Sequence, residues 1–228
     1  ENVFRAVNIA LVNELKVIYT KMGIDVWEVI NAASTKPFGY MPFYPGPGLG
    51  GHCIPIDPFY LTWKAKEYGI STRFIELAGE INTAMPDYVI DQLTKALNKK
   101  FQKSLFDSKI LLIGFAYKSN VDDDRESPAY KLMDLLNEQG AQVDYSDIHI
   151  PQLKKTRKHP HYANIKSVDL TPETLAAYDA AVIVTAHDNV DYQMIVDHTH
   201  LIIDTRNALS HFNADNIVGV DVGLIDFY

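Results

Sequence analysis

The chain has 228 residues, of which 47% are hydrophobic and 22% charged, enough apolar content for one large or two small folded domains and outside the disordered, collagen-like and coiled-coil classes. Acids outnumber bases 29 to 21, for a formal net charge of −8, so neither a nucleic-acid backbone nor an anionic membrane surface is expected as a partner. Cys53 is the single cysteine, which excludes an internal disulfide framework, and no apolar run reaches the ~20 residues that span a bilayer, so a soluble cytoplasmic protein is expected.

Residues 2–22 place Val3, Ala6, Val7, Ala10, Leu11, Leu15 and Ile18 at helical spacing, with Gly23 as the stop. That amphipathic pattern is already under way at Glu1, which reads as a chain cut from something longer. Asp25-Val-Trp-Glu28 carries the cap residue and the glutamate three positions later that open a short helix through Ala33. Residues 35–56 read as loop, because their prolines and glycines leave little room for a regular hydrogen-bond ladder, and a loop so long suggests function. Asp57-Pro58 sets an N-cap and first-turn proline for a helix to about Tyr68, ended by Gly69. Residues 72–100 are helical, with a kink or break expected at Pro86.

The character changes at Ser108. Lys109-Ile-Leu-Leu-Ile113 is the continuous apolar run of a strand buried on both faces. Ser127-Pro128 opens a helix to about Gln139, Gly140 stops it, and residues 142–147 read as a second strand. Thr171-Pro172 opens another helix, and residues 180–185, 201–204 and 217–220 are further β-rich runs at βαβ spacing. The second half is therefore read as a small doubly wound α/β domain.

The sharpest local feature is Gly46-Pro-Gly-Leu-Gly-Gly51-His-Cys53-Ile-Pro-Ile-Asp57-Pro58. Its Gly46-x-Gly48-x-x-Gly51 letters match a dinucleotide fingerprint, but no strand precedes them and no helix follows directly, so that reading fails on context. Cys53 by itself is either a small buried hydrophobe or a nucleophilic thiolate. The setting favours the second, since glycines admit a ligand to the backbone and Asp57 lies four residues on. His52 could supply charge, but its side chain is expected to point elsewhere. A cysteine protease, which would need a histidine base, stays open on the residues alone.

No histidine shows zinc-like spacing with Cys53, so no metal is expected, and His159-x-His161 and His198-x-His200 read as surface pairs. The basic run 154–158 reads as solvated surface. Ligands of open α/β sheets bind at the carboxyl ends of strands. Lys118 and Arg125, after the first strand, and Arg206 in Asp204-Thr-Arg206-Asn207 are therefore candidates for phosphate contacts, against the plainer reading that they pair with neighbouring acids or solvent.

Together these pieces resemble the UDP-glucose/GDP-mannose dehydrogenase family over essentially the whole chain. The resemblance implies an all-helical central dimerisation domain (residues 1–104) joined by a long helix to a Rossmann-like, doubly wound UDP-sugar-binding domain (residues 105–228). It implies oxidation of the C6 alcohol of a nucleotide sugar to the carboxylate with two NAD, through a thiohemiacetal and thioester on Cys53. Gly50-Gly51-His52-Cys53 with Asp57 carries the family's nucleophile motif, with Asp57 as a partner in positioning water. Tyr44, Gly46, Gly48, Leu49 and Gly50 would wrap the sugar, Tyr117 and Lys118 would touch substrate, Arg125 would reach NAD, and Arg206 would contact the UDP portion.

Asn2 resembles a catalytic asparagine whose lysine partner lies four residues ahead, before Glu1, and the family's N-terminal NAD-binding domain is absent from this chain. The chain is therefore expected to be a C-terminal fragment inactive by itself. Lys36 stands where some relatives carry a substrate-binding arginine donated across a homodimer, which would form through the central helices. Pro45-Gly-Pro-Gly-Leu-Gly-Gly-His-Cys-Ile-Pro-Ile-Asp-Pro58 resembles the branch that acts on UDP-N-acetylhexosamines, and Lys36-Pro-Phe-Gly39 with Phe43-Tyr-Pro45 point to UDP-N-acetylglucosamine ahead of its C2 epimer UDP-N-acetylmannosamine. The alternative from another class is a non-catalytic nucleotide-sugar-binding and dimerising module in which Cys53 is incidental.

Overall fold

The computed structural model describes residues 1–219, so Val220, the end of the last expected strand, lies outside the described residues. Helix α1 (Asn2–Met22) ends where Gly23 turns to a φ of 69°, letting the Gly23 and Ile24 amides close on the Thr20 and Tyr19 carbonyls. The helix is where its spacing puts it, but only Ala6 and Ala10 of the expected apolar set are buried, and polar residues share the inner face with them. Ala6, Ala10, Asn13, Lys16 and Thr20 face inward, while Phe4, Leu11 and Ile18 are exposed. Small side chains at Ala6 and Ala10 let the fourth helix approach closely, and the buried amides satisfy one another. Asn13 donates to Asn82 at 2.9 Å, Asn82 donates to the Ala6 carbonyl at 3.0 Å, and Gly46 N–H donates to Asn13 at 3.0 Å.

Helix α2 (Val26–Ser34) is capped by Asp25, whose carboxylate accepts the Trp27 amide at 2.8 Å. Helix α3 (Asp57–Lys66) starts one residue earlier than expected. Ile56 is its N-cap, and the Asp57 carboxylate bonds elsewhere. Helix α4 (Arg73–Phe101) runs unbroken through Pro86, which is itself buried with Met85. An interior proline removes one backbone bond and costs about 3 kcal/mol. Here that cost is offset, because α4 packs along α1 with its first half and enters the sheet core with Val89, Ile90, Leu93, Ala96 and Leu97 of its second.

Strand β1 (Lys109–Ile113), helix α5 (Pro128–Glu138), strand β2 (Gln142–Ser146), helix α6 (Pro172–Ala176), strand β3 (Ala180–Ile183), helix α7 (Tyr192–His198), strand β4 (Ile202–Asp204) and strand β5 (Ile217–Gly219) follow. All pairings are parallel in the order β2-β1-β3-β4-β5, and Ile110 pairs with both Val143 and Ala180. Alternation along the strands builds two cores. Ile110, Leu112, Val182 and Ile203 pack under α4 and α5, and Leu111, Ile113, Ile183 and Ile202 pack under α6 and α7. Helices thus cover both faces, which explains why β1 reads as an unbroken apolar run. The chain order reverses at β1 and β3, and a crevice opens beyond their carboxyl ends.

Five tyrosines in the sheet domain make this fold sensitive to alkali. Burial raises the pKa of Tyr162 and Tyr192 to about 12, and that of Tyr130, Tyr145 and Tyr178 higher still. Tyr130, Tyr162 and Tyr178 also donate to Asp124, Asp134 and Asp144. The unfolded chain ionises first, near pH ~10, so stability is full below that and falls as pH rises toward 12. Phenolate absorbance and circular dichroism should therefore change together over that window. Titration near pH ~10 with an unchanged dichroism spectrum would contradict this.

Candidate functional site

The glycine loop is held between the two halves of the molecule, and contacts at three glycines do the holding. Gly46 sits under the Arg206 guanidinium, whose Nη1 would lie 2.5 Å from any Cβ added there. Gly50 lies against Tyr117, and an added Cβ would meet the Tyr117 Cβ at 2.8 Å and the Glu126 carbonyl at 3.0 Å. Gly51, at φ 90°, packs under the Tyr117 ring and donates its N–H to the Arg125 carbonyl at 3.0 Å. A side chain at Gly50 or Gly51 would push the loop off the sheet domain, and one at Gly46 would displace the Arg206 guanidinium.

The loop delivers Cys53 to the surface beside the start of α3. The Cys53 carbonyl accepts the amides of Ile56 at 3.1 Å and Asp57 at 2.8 Å, so the turn that carries the thiol also begins the helix. The thiol is exposed, and its Sγ lies 3.8 Å from His52 Nδ1. His52 therefore points toward Cys53, contrary to the expectation, because the tight Gly50-Gly51 entry turns both side chains to one side. Asp57 Oδ2 accepts the Asn2 side-chain amide at 2.7 Å, which ties the first residue of α1 to the first residue of α3.

Arg125 is exposed and held by Asp123 through Nε and Nη2, the latter at 2.6 Å. That pairing raises the Arg125 pKa, with smaller contributions from the Tyr117 and Cys53 charges. Its guanidinium is thus engaged locally, as the plainer reading had it. Arg206 is half-buried. Burial lowers its pKa against the opposing charge of Asp204, and among the described residues its guanidinium makes no hydrogen bond or ion pair. A desolvated cation with no carboxylate bound to it among the described residues, beside a backbone with no side chain, is a receptive place for an anion.

The expected site residues divide over two surfaces. Gly46, Gly50, Tyr117 and Arg206 form one contiguous cluster around the loop. Gly48 and Leu49 instead line a cleft of about 640 Å³ between α3, α4 and the start of α5. Arg157, Lys158 and His159 line that cleft too, so part of the run read as solvated surface borders a cavity. Tyr44 is stacked on Trp27, with centroids 5.4 Å apart. Lys36 and Lys118 are exposed.

Sequence reasoning missed the pair that shapes the β1–α5 turn. Asp147, at the end of β2, accepts the amides of Phe115 at 2.5 Å and Ala116 at 2.8 Å, those of His149 at 2.7 Å and Ile150 at 3.0 Å, and lies 3.0 Å from His187 Nε2. His187 Nδ1 accepts the Asn120 amide at 2.9 Å, which assigns the ring proton to Nε2, facing Asp147. Burial alone would raise the Asp147 pKa, but hydrogen bonds from His187 and the amides outweigh it and hold it at about 2. This acid and histidine thereby position Tyr117 and Lys118 from behind. The only sequence signal was an acidic residue at a strand end.

Comparison with known proteins follows the two halves. Residues 1–84 match the UDP-glucose/GDP-mannose dehydrogenase family, central domain, and residues 111–211 its UDP binding domain. The chain is 36% identical over 218 residues to a UDP-N-acetyl-D-mannosamine dehydrogenase from Methanocaldococcus jannaschii, covering 92% of this chain and 46% of that protein. It is 38% identical over 187 residues to a UDP-N-acetyl-D-glucosamine 6-dehydrogenase from Pseudomonas aeruginosa, covering 82% and 42%. The structure of a UDP-D-ManNAc dehydrogenase from Pyrococcus horikoshii superposes with a TM-score of 0.81 at 31% identity, over 98% of this chain and 50% of that one. The chain spans about half the length of the curated relatives it matches.

Proposed function

The chain belongs to the UDP-glucose/GDP-mannose dehydrogenase family, and on that footing we propose that it is the thiol-bearing, UDP-sugar-binding part of an NAD-dependent nucleotide-sugar 6-dehydrogenase. The observation that carries the proposal is the exposed Cys53 on a glycine loop clamped by Arg206 and Tyr117, with the Asn2–Asp57 pair at its base. Arg206 would take the diphosphate and Tyr117 with Lys118 the rest of the substrate. Gly46 and Gly50 would let the sugar approach the backbone, with Tyr44 at the rim.

In the proposed course the Cys53 sulfur adds to the C6 aldehyde carbon to give a thiohemiacetal, which becomes a thioester on loss of hydride. Water then adds, the carbon–sulfur bond breaks, and the carboxylate and thiol are released. The His52 and Cys53 amides donate to no acceptor among the described residues and would face the developing oxyanion. Asp57, oriented by Asn2, would hold the attacking water, and His52 Nδ1 is near enough to exchange the thiol proton.

NAD, when bound, accepts the two hydride equivalents this oxidation releases. Arg125, exposed beside the loop and held by Asp123, would contact its phosphates. The sheet of this chain does not fit a dinucleotide at the usual turn. Gly114 closes directly on the Thr185 carbonyl, and Asp147, placed where a ribose-binding acid would project, is occupied by its own backbone.

UDP-N-acetylglucosamine is the proposed substrate, supported by Lys36-Pro-Phe-Gly39 and Phe43-Tyr-Pro45 and by the 38% identity to the Pseudomonas aeruginosa relative. NADH formation by the complete polypeptide with this sugar and with UDP-N-acetylmannosamine tests it, and faster turnover of the second would reverse the choice. For the UDP contact, Arg206→Ala should weaken UDP binding by about tenfold, since a hydrogen bond to a charged group contributes ~1.5–3 kcal/mol. An unchanged calorimetric isotherm would remove Arg206 from the site.

A homodimer through the central helices is proposed as well, in the cytoplasm, where a lone reactive thiol stays reduced. Phe4, Leu11 and Ile18 form an exposed stripe on α1, and Tyr60, Leu61 and Trp63 of α3 lie exposed near Phe74 and Leu77 of α4. Apolar patches of this kind mark interfaces. Sedimentation should give twice the chain mass, and a monomer at micromolar concentration would count against it. No helix among the described residues is long and apolar enough to cross a membrane.

A further inference from the structure

Away from the glycine loop, three potential metal ligands from two elements converge on one point. Asp134 projects from α5, while His159 precedes and His161 lies within a single 3-10 turn (Pro160–Tyr162) in the excursion between β2 and α6. One ligand atom from each lies within 4.8 Å of the other two. His159 Nδ1 is 3.2 Å from Asp134 Oδ2, and His161 Nε2 is 3.7 Å from Asp134 Oδ1.

Neither contact is a hydrogen bond. The His159 nitrogen is buried and lies outside hydrogen-bonding direction, and the His161 separation is too long. The His159–Asp134 separation is close to the ~3.4 Å edge of a tetrahedron built from Zn–N and Zn–O bonds of ~2.0–2.2 Å, and His161 approaches the other oxygen of the same carboxylate, so the three ligand atoms lie around one point within 4.8 Å of one another. The surroundings fix the ligands as a metal site requires. The His159 ring is stacked on Tyr130, with centroids 4.7 Å apart, and its backbone amide is held by Thr156 at 3.0 Å. The Asp134 carboxylate accepts the Tyr162 hydroxyl at 2.7 Å, which in turn accepts the Asn137 amide at 3.0 Å. Such outer partners orient ligands and sharpen affinity. The nearby Lys158 ammonium is engaged by Glu126 at 2.6 Å.

We propose that Asp134, His159 and His161 form a site for a divalent transition metal of the zinc class, with a fourth position open to water. The spacing argument missed it because Asp134 arrives from a different element. A bound ion joins the basic excursion to α5, on the border of the cleft that Arg157, Lys158 and His159 line.

The test titrates Zn²⁺ and Co²⁺ into the full chain carrying Cys53→Ser, so that the exposed thiol offers no competing ligand. The expected result is one site per chain, tetrahedral Co²⁺ absorption bands, and a melting temperature raised by Zn²⁺. His161→Ala, at an exposed position that should fold normally, weakens binding at least ~10-fold and abolishes the bands. His211→Ala, an exposed histidine elsewhere, changes neither. The proposal is overturned if no visible bands appear, or if His161→Ala binds both ions as tightly as its parent.

Discussion

Cys53→Ser in the complete polypeptide lowers NADH formation from UDP-N-acetylglucosamine by at least about 10³-fold, while UDP binding stays within about twofold. A serine hydroxyl is a far weaker nucleophile at neutral pH than a cysteine with a few per cent of thiolate. His52 Nδ1, 3.8 Å from the sulfur, is near enough to exchange a thiol proton but lies beyond the ~2.6–3.2 Å hydrogen-bond reach that a serine would need from its base. The substitution is nearly isosteric at an exposed position whose carbonyl, not its side chain, starts α3, so the fold should be untouched. UDP binding is the internal control, because Arg206 reaches the loop at Gly46 rather than at the thiol. NADH formation that survives Cys53→Ser would make the cysteine incidental and leave a nucleotide-sugar-binding module.

Asp147→Ala costs the fold about 3–5 kcal/mol, the largest stability loss we expect of any single substitution. Four backbone amides and His187 lose their common acceptor, and the carboxylate joins the β1–α5 turn that carries Tyr117, through Phe115 and Ala116, to the segments that follow β2 and β3. The same residue sets an acid limit. Its folded pKa of about 2 lies below the ordinary 3.8, so its contribution is complete above that ordinary value and is lost as pH falls through about 2. Urea unfolding should therefore show a lower midpoint for the variant at neutral pH and a shallower loss of stability toward acid than the parent. Ile148→Ala, the exposed neighbour, should change neither. Equal acid profiles for parent and variant would mean that the carboxylate is not the acid-sensitive link.

Much of this molecule is legible residue by residue, because its signals are local. Gly23 and Gly140 stop helices by turning to positive φ, at 69° and 80°. Asp25, Ser127 and Thr171 cap the helices that follow them through their own side chains. The apolar run of β1 and its βαβ spacing announce a sheet covered on both faces. The glycine loop, its cysteine and Asp57 stand within thirteen consecutive positions, so their proximity needs no tertiary information.

What the tertiary structure decided are the partners of residues whose own signal is ambiguous. Periodicity marks α1 as a helix but cannot choose which face is buried, and the Asn13–Asn82 amide pair with Ala6 and Ala10 turned the small and polar face inward. Pro86 predicts a break, yet packing along both flanks of α4 outweighs one missing hydrogen bond. Asp57 reads as a cap until Asn2, distant in sequence, claims its carboxylate. Asp147 with His187, and Asp134 with His159 and His161, are ordinary surface letters until the crossover connections bring them together. Local conformation follows from a few neighbouring dihedrals and caps, which a sequence displays. A buried polar pair depends on which distant backbone arrives with an unsatisfied partner, and only the assembled fold supplies that.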